Sequence, residues 1–254
     1  MPRADRLLAE GVSGSVLFAR YAHGPNALGY CGPAGAAVLA RAACGQDEPA
    51  AVEAAARRFS GAWPYQETIA NLTGRSPMDP DVVRGYWVGN QLTDELPREQ
   101  FAEVLLSNLR AQAGHYWPHL SEDLSAEVAP SHTFHVFGVY PWSRLLDAGR
   151  PEPLHVLESC RIGWGRVIAV HADQLTVRTR RLDLTDGRLS LSAEYDRRVD
   201  YRVDGDAFVA DPVEGDLVAL HWDFACDRLT EFEVTRLEAD LMRQLELVAQ
   251  RGTS

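Results

Sequence analysis

The sequence predicts an α+β protein: a mainly helical N-terminal domain over residues 1–150, then a small β-barrel or meander over 158–254 with one amphipathic C-terminal helix. Three observations carry this. The front is rich in alanine runs that have proline near their starts and glycine after their ends. The back holds short runs of β-branched and aromatic residues broken by turn signals. The final stretch repeats apolar residues every three or four positions.

In order along the chain, "PAGAAVLARAAC" (33–44) and "EPAAVEAAARRFSG" (48–61) read as helices, with Pro33 and Pro49 near first-turn positions and Gly45 and Gly61 after the ends. "PREQFAEVLLSNLRAQAG" (97–114) places Phe101, Val104, Leu105 and Leu109 at helical spacing, and Gly114 stops it. "SHTFHVFGVY" (131–140) is aromatic and β-branched, which predicts a strand. "DAGRPEPLHV" (147–156), with two prolines and a glycine, is the candidate linker. Beyond it, "GRVIAVHADQLTVRTRRLDL" reads as strand, turn at "HADQ", strand; "RLSLSAEYDRRVDYRV" alternates further, and "GDLVALHWDF" is a short apolar strand. A helix from about Thr230 closes the chain. Thr230 and Glu233 form a T-x-x-E capping box, and Val234, Leu237, Leu241, Leu245 and Val248 make one apolar stripe.

Composition narrows the function. The chain has 254 residues, is 46% hydrophobic and 24% charged, and carries a formal charge of −11 with arginine as its only strong base. An acidic chain without a basic stripe argues against nucleic acid and anionic membranes as partners. "RTRR" (178–181) reads as an exposed strand face. No apolar run nears the ~20 residues that span a bilayer, and "MPRADRLLAEG" lacks a signal-peptide core. A cytoplasmic location is the default. Cys31, Cys44, Cys160 and Cys226 include no CxxC pair, so neither a structural zinc knuckle nor a disulfide framework is indicated.

The back portion resembles the HypC/HupF chaperones of [NiFe]-hydrogenase maturation. The likeness rests on Cys160-Arg161-Ile162-Gly163-Trp164-Gly165-Arg166-Val167, a cysteine leading through a glycine turn to a strand. It continues with Gly215-Asp216 before the strand ending at His221, and with the acidic, leucine-bearing helix in "DRLTEFEVTRLEADL". In that family the cysteine follows the initiator methionine, so residue 160 looks like an old start with a domain fused in front. Trp164 stands where the family usually has proline. The resemblance implies an OB-like β-barrel and no enzymatic activity. It implies Cys160 as the thiolate holding the iron of an Fe(CN)2CO fragment transiently, with His221 beside it. The implied partners are a maturation scaffold of the HypD type or the immature hydrogenase large subunit, docked by the front domain. A soft, low-spin iron suits a thiolate anchor.

The front portion resembles an uncharacterised actinobacterial family that carries the same fused tail, through "LFARYAHGPNALGYCGP" (17–33), "GAWPYQETIAN" (61–71), "GYWVGNQL" (85–92) and "SHTFHVFGVYPW" (131–142). "YCGPAGAAVL" is also similar to the nucleophile segment of papain-like cysteine peptidases. That likeness implies an enzyme in which Cys31 opens a helix and His132 or His135 is its base, with Asn26 the nearest polar residue before the cysteine. On a strand, His132 and His135 would face opposite ways and could not share one ion. His115 and His119 read as loop histidines, and Trp63, Trp87, Trp117 and Trp142 as core or interface. Cys226, at the turn into the last helix, and Cys44 read as packing residues. The three readings are therefore an iron carrier, a cysteine enzyme, and a structural interaction protein without metal.

Overall fold

The computed structural model describes residues 11–34, 37–46, 48–113, 122–146 and 150–251. Its first helix, α1 (Gly14–Ala27), starts at Ser13, whose side chain accepts from the Val16 amide at 3.3 Å. Eleven of its residues from Gly14 to Pro25 are buried, so it has no polar face and no apolar stripe to read in the sequence. Around it lie α2 (Ala37–Ala43), α3 (Pro49–Ala56), α4 (Trp63–Thr73), α5 (Pro80–Trp87), the single turn α6 (Gln91–Asp94) and α7 (Arg98–Ala113). Pro49, Pro64 and Pro80 occupy first-turn positions of α3, α4 and α5. Two predicted helices are shorter than read: α3 stops at Ala56, and the described part of α2 begins at Ala37.

The stretch predicted as a strand over 131–140 is helical. Ser131 caps α8 (His132–Phe134) by accepting from the Phe134 amide at 3.2 Å, and the chain runs on as a π-helical turn over His135–Val139. Every residue from His132 to Val139 is buried. A fully buried helix and a buried strand both draw on Val and Phe, so composition alone does not separate them. The predicted linker is corrected as well. Its 147–149 portion lies outside the described residues, but Glu152–Cys160 forms α9, with Pro151 and Pro153 at its start.

The strands follow. β1 (Gly163–Val170) pairs antiparallel with β2 (Gln174–Thr179) and β8 (Leu217–His221); β2 pairs with β5 (Tyr195–Asp200), and β8 with β9 (Phe224–Leu229). β5 meets β9 in parallel at one position, Asp200 opposite Phe224, so the pairing returns on itself in the order β1-β2-β5-β9-β8. Val167, Leu175, Val177, Val199, Val218 and Leu220 fill the space inside. Two hairpins stand apart, β3 (Leu182–Thr185) with β4 (Arg188–Leu191) and β6 (Arg202–Val203) with β7 (Asp206–Ala207). The glycine turn expected after Cys160 is absent: Gly163 and Gly165 are inside β1. Gly165 serves close approach, since a Cβ there would lie 3.0 Å from the Val177 Cβ and 3.2 Å from the Arg178 carbonyl oxygen. The "RTRR" arginines find acidic partners, Arg178 with Asp196, Arg180 with Glu238 and Arg181 with Asp183.

The front helices and the back strands share one apolar core. Leu17, Phe18 and Tyr21 of α1 belong to the same cluster as Phe208, Ala219, Cys226 and Leu237. Gly24 lets α1 lie on the β8–β9 turn, where a Cβ would come within 3.1 Å of the His221 carbonyl oxygen. The closing helix α10 (Glu231–Arg251) keeps its capping box: Thr230 N donates to Glu233 Oε2 at 2.8 Å, and Glu233 N to Thr230 Oγ1 at 3.2 Å. Arg84 of α5 bridges the halves, donating to Glu233 Oε1 and Asp227 Oδ2, each at 2.6 Å, and to the Arg228 carbonyl at 3.3 Å. Asp227 is buried and its other cation, Arg20, stands farther off at 3.6 Å, so losing Arg84 leaves a carboxylate away from water with only that longer pair. Arg84→Ala is therefore expected to cost about 3 kcal/mol and lower Tm by about 6–12 °C. Thermal denaturation checks this, and an unchanged Tm would contradict it.

Candidate metal centre

Three side chains from three elements meet inside the protein: His132, the first residue of α8; Cys160, the last of α9; and His221, the last of β8. The Trp222 amide donates to the Ser159 carbonyl at 2.8 Å, tying the β8–β9 turn to the end of α9 and bringing residues 160 and 221 together. The Trp222 backbone takes φ +56° to make that turn. One ligand-capable atom from each of the three residues lies within 4.8 Å of the others, and all three residues are buried. Cys160 Sγ is 4.0 Å from His132 Nε2. Among the described residues this is the one such grouping of three histidine, cysteine or carboxylate ligands.

The hydrogen bonds set the tautomers. His221 Nδ1 lies 2.6 Å from the Tyr21 carbonyl oxygen, an acceptor only, so Nδ1 carries the proton. That carbonyl is free to accept because the residue four positions on is Pro25, which has no N–H to offer it. His221 Nε2 then presents its lone pair. The Cys160 carbonyl is near, but Nε2 makes no hydrogen bond of normal geometry among the described residues. His132 is held at both ends, with Nε2 2.8 Å from the Cys160 carbonyl and Nδ1 2.9 Å from the Tyr86 hydroxyl. Nε2 therefore donates, and Nδ1 accepts from Tyr86.

Burial keeps the histidines neutral. It pushes His221 down to about 4, with the Tyr21 and Cys160 carbonyls opposing. It also lowers His132, to which the nearby His221 and His135 add. Neutral imidazole is the form that binds metal. Burial, and then Cys31, raise the Cys160 thiol well above its ordinary value. The thiol is thus protonated; a cation held beside it would reverse that balance.

The two rival sites of the sequence reading fall in one place. Cys31, His132, His135, Tyr140, Cys160 and His221 line a single cavity with Tyr86 and Trp87, holding about 20 Å³ of space for a water-sized sphere. With 131–140 helical, His132 and His135 no longer face apart; their ring centroids are 6.3 Å from each other. His135 packs against the Tyr65 and Tyr140 rings, with centroids at 5.4 and 4.4 Å, and neither ring nitrogen has a hydrogen-bond partner among the described residues. Its pKa is pushed down to about 3 by burial.

Cys31 lacks the features of an activated nucleophile. It lies in a bend rather than at the start of a described helix, since α2 is described from Ala37. Burial raises its thiol to about 11 against the pull of the Tyr140 hydroxyl and the Gly32 amide. Asn26 donates to the Cys31 and Pro33 carbonyls, both at 2.8 Å, and so shapes the loop.

Trp164 packs in the same apolar cluster as Cys160 without parting it from His221. Cys226 is buried within β9 rather than at the turn before α10. Cys44 follows the end of α2, half-buried, whereas His115, His119 and Trp117 lie outside the described residues. The sequence reading placed His132 only in the enzyme alternative and missed Tyr21, Pro25 and Tyr86. A helix bearing Tyr-Ala-His-Gly-Pro could have signalled the freed carbonyl.

A model described as a family of unknown function (DUF6390) matches residues 10–254, and the chain belongs to that family. No curated protein and no solved structure matches it.

Proposed function

We propose that this member of the DUF6390 family is a hydrogenase maturation accessory factor, not an enzyme, that carries or protects an Fe(CN)2CO fragment on Cys160. The observation that supports this reading is the meeting of Cys160 with His221, a pair first suggested by resemblance and 61 residues apart in sequence, in one buried cluster with His132. In this reading the strand ring with its closing helix is an OB-like barrel. The partners are a HypD-type scaffold or the immature large subunit, with the front half as docking domain, and the location is cytoplasmic. Among the described residues no helix is long and apolar enough to cross a membrane.

The cavity limits how the cargo is held. About 20 Å³ admits one water-sized group, whereas an iron with two cyanides and a carbonyl brings six further atoms. Cys160 is only 8% exposed. Carriage therefore requires a form in which the pocket opens and brings Cys160 to the surface, with the closed form sheltering the thiol between loads. The enzyme reading fares worse, because Cys31 has a raised thiol and burial leaves its neighbouring histidines too weakly basic to take its proton.

Complementation tests the proposal. In a host lacking this chain, hydrogenase activity is expected to return with wild type and Cys31→Ser but not with Cys160→Ala. Restoration by Cys160→Ala, or a specific need for Cys31, would overturn it.

A further inference from the structure

We propose that the pocket also binds a bare divalent transition-metal ion of the zinc and cobalt class, in a site built jointly by both halves of the chain. Cys160 Sγ and His221 Nε2 come from the tail, His132 Nε2 comes from the front, and a fourth position stays open. The inference rests on the pocket and not on the maturation reading. It changes the role of the front half, which becomes part of the metal site as well as a docking unit.

Geometry and donor chemistry carry it. Bond lengths of about 2.0–2.1 Å to nitrogen and 2.3 Å to sulfur put the donor atoms of a tetrahedral ion about 3.3–3.6 Å apart. Here one ligand atom from each residue lies within 4.8 Å of the others, with Cys160 Sγ 4.0 Å from His132 Nε2, so a closure of little more than 1 Å completes the site. One thiolate and two imidazoles suit a borderline-soft ion. A cavity of about 20 Å³ matches a bare ion with one further small ligand. His221 supplies the independent sign: a buried nitrogen with no hydrogen-bond partner among the described residues, its tautomer fixed by the Tyr21 carbonyl. A backbone carbonyl bound to the far nitrogen is the usual support of a metal-binding histidine. His132 has a matching support in Tyr86.

The protons balance. On binding, the Cys160 thiol gives its proton to solvent. His132 exchanges its Nε2–H bond to the Cys160 carbonyl for the ion, and its proton passes to Nδ1, where the Tyr86 hydroxyl accepts. His221 needs no change. One proton leaves per ion bound.

The test uses the full chain, reduced and metal-free, titrated anaerobically with Co2+. One cobalt per chain is expected, with visible bands of tetrahedral cobalt and a thiolate-to-cobalt charge-transfer band. Cys160→Ser should abolish the charge-transfer band, His132→Gln should weaken binding at least about tenfold, and Cys226→Ser should leave both unchanged. X-ray absorption of the zinc-loaded wild type should show one sulfur and two imidazoles, which keeps the test intact if His132→Gln does not fold. Three results would each overturn the inference: no tetrahedral spectrum in wild type, a single imidazole in the absorption data, or a folded His132→Gln that binds as wild type does. Cobalt binding by a chain that fails in complementation would sink the maturation reading and leave this site standing. Complementation without cobalt binding would do the reverse.

Discussion

Acidifying the metal-free protein from pH 7 to 5 is expected to cost about 4 kcal/mol of stability from His135 and His221 alone. Both are neutral in the fold, with burial holding them at about 3 and about 4, while an unfolded histidine titrates near 6.5. Their folded values are depressed, so the unfolded chain binds the extra protons. Their contribution is complete above about pH 6.5 and is lost as pH falls from there toward the folded values, about 2 kcal/mol each by pH 5. His132 and His23, both lowered chiefly by burial, act in the same direction.

Two acidic groups behave differently. Burial raises Asp240 against Ser131, Thr133 and Arg243, so acid relieves it. Burial also pushes Glu233 up, but its bonds to Arg84 and Thr230 and the Arg84 charge outweigh that and leave it low; its contribution fades only below about pH 4.3. Between pH 7 and 5 the four lowered histidines act together, and Asp240 opposes them. A loss of about 4 kcal/mol is a large part of the 5–15 kcal/mol typical of a folded chain, and Tm should fall by about 8–16 °C. Thermal melts of chelator-treated protein across this range measure it. A flat profile would contradict the burial of neutral histidines.

How much of this was legible depended on which contacts were local. The closing helix was readable because its capping box and apolar stripe lie within one stretch, from Thr230 to Val248. α1 was not, because burial on all sides removes the periodic contrast that marks a surface helix. Residues 131–140 were misread for a related reason: a buried helix and a buried strand draw on the same side chains, and only the Ser131 cap distinguished them. That misreading had a chemical consequence. Taken as a strand, the segment kept His132 and His135 from sharing one ion and left His132 only as a partner of Cys31; as a helix, it delivers His132 to Cys160. The pairing of Cys160 with His221 came from resemblance, since no spacing rule links a helix end to a strand end 61 residues away. The turn expected between Cys160 and its strand was wrong because glycine can serve a close strand crossing as well as a bend.

Cys160→Ala is the substitution with the largest expected functional effect. Thiolate is the one anionic, soft donor among Cys160, His132 and His221, and alanine leaves two neutral imidazoles that do not replace it on a low-spin iron. The variant keeps a small apolar side chain among Leu157, Leu241 and Val136, so the fold should survive with a loss of about 1 kcal/mol or less. Loss of cargo with the fold intact separates anchoring from packing. The most direct measurement is infrared spectroscopy with iron analysis on protein purified without air from a host assembling [NiFe]-hydrogenase, wild type beside Cys160→Ala. The account predicts iron with cyanide and carbonyl stretching bands in the wild type and neither in the variant. Bands that persist in Cys160→Ala, or a wild type that carries no iron and no bands under those conditions, would contradict it.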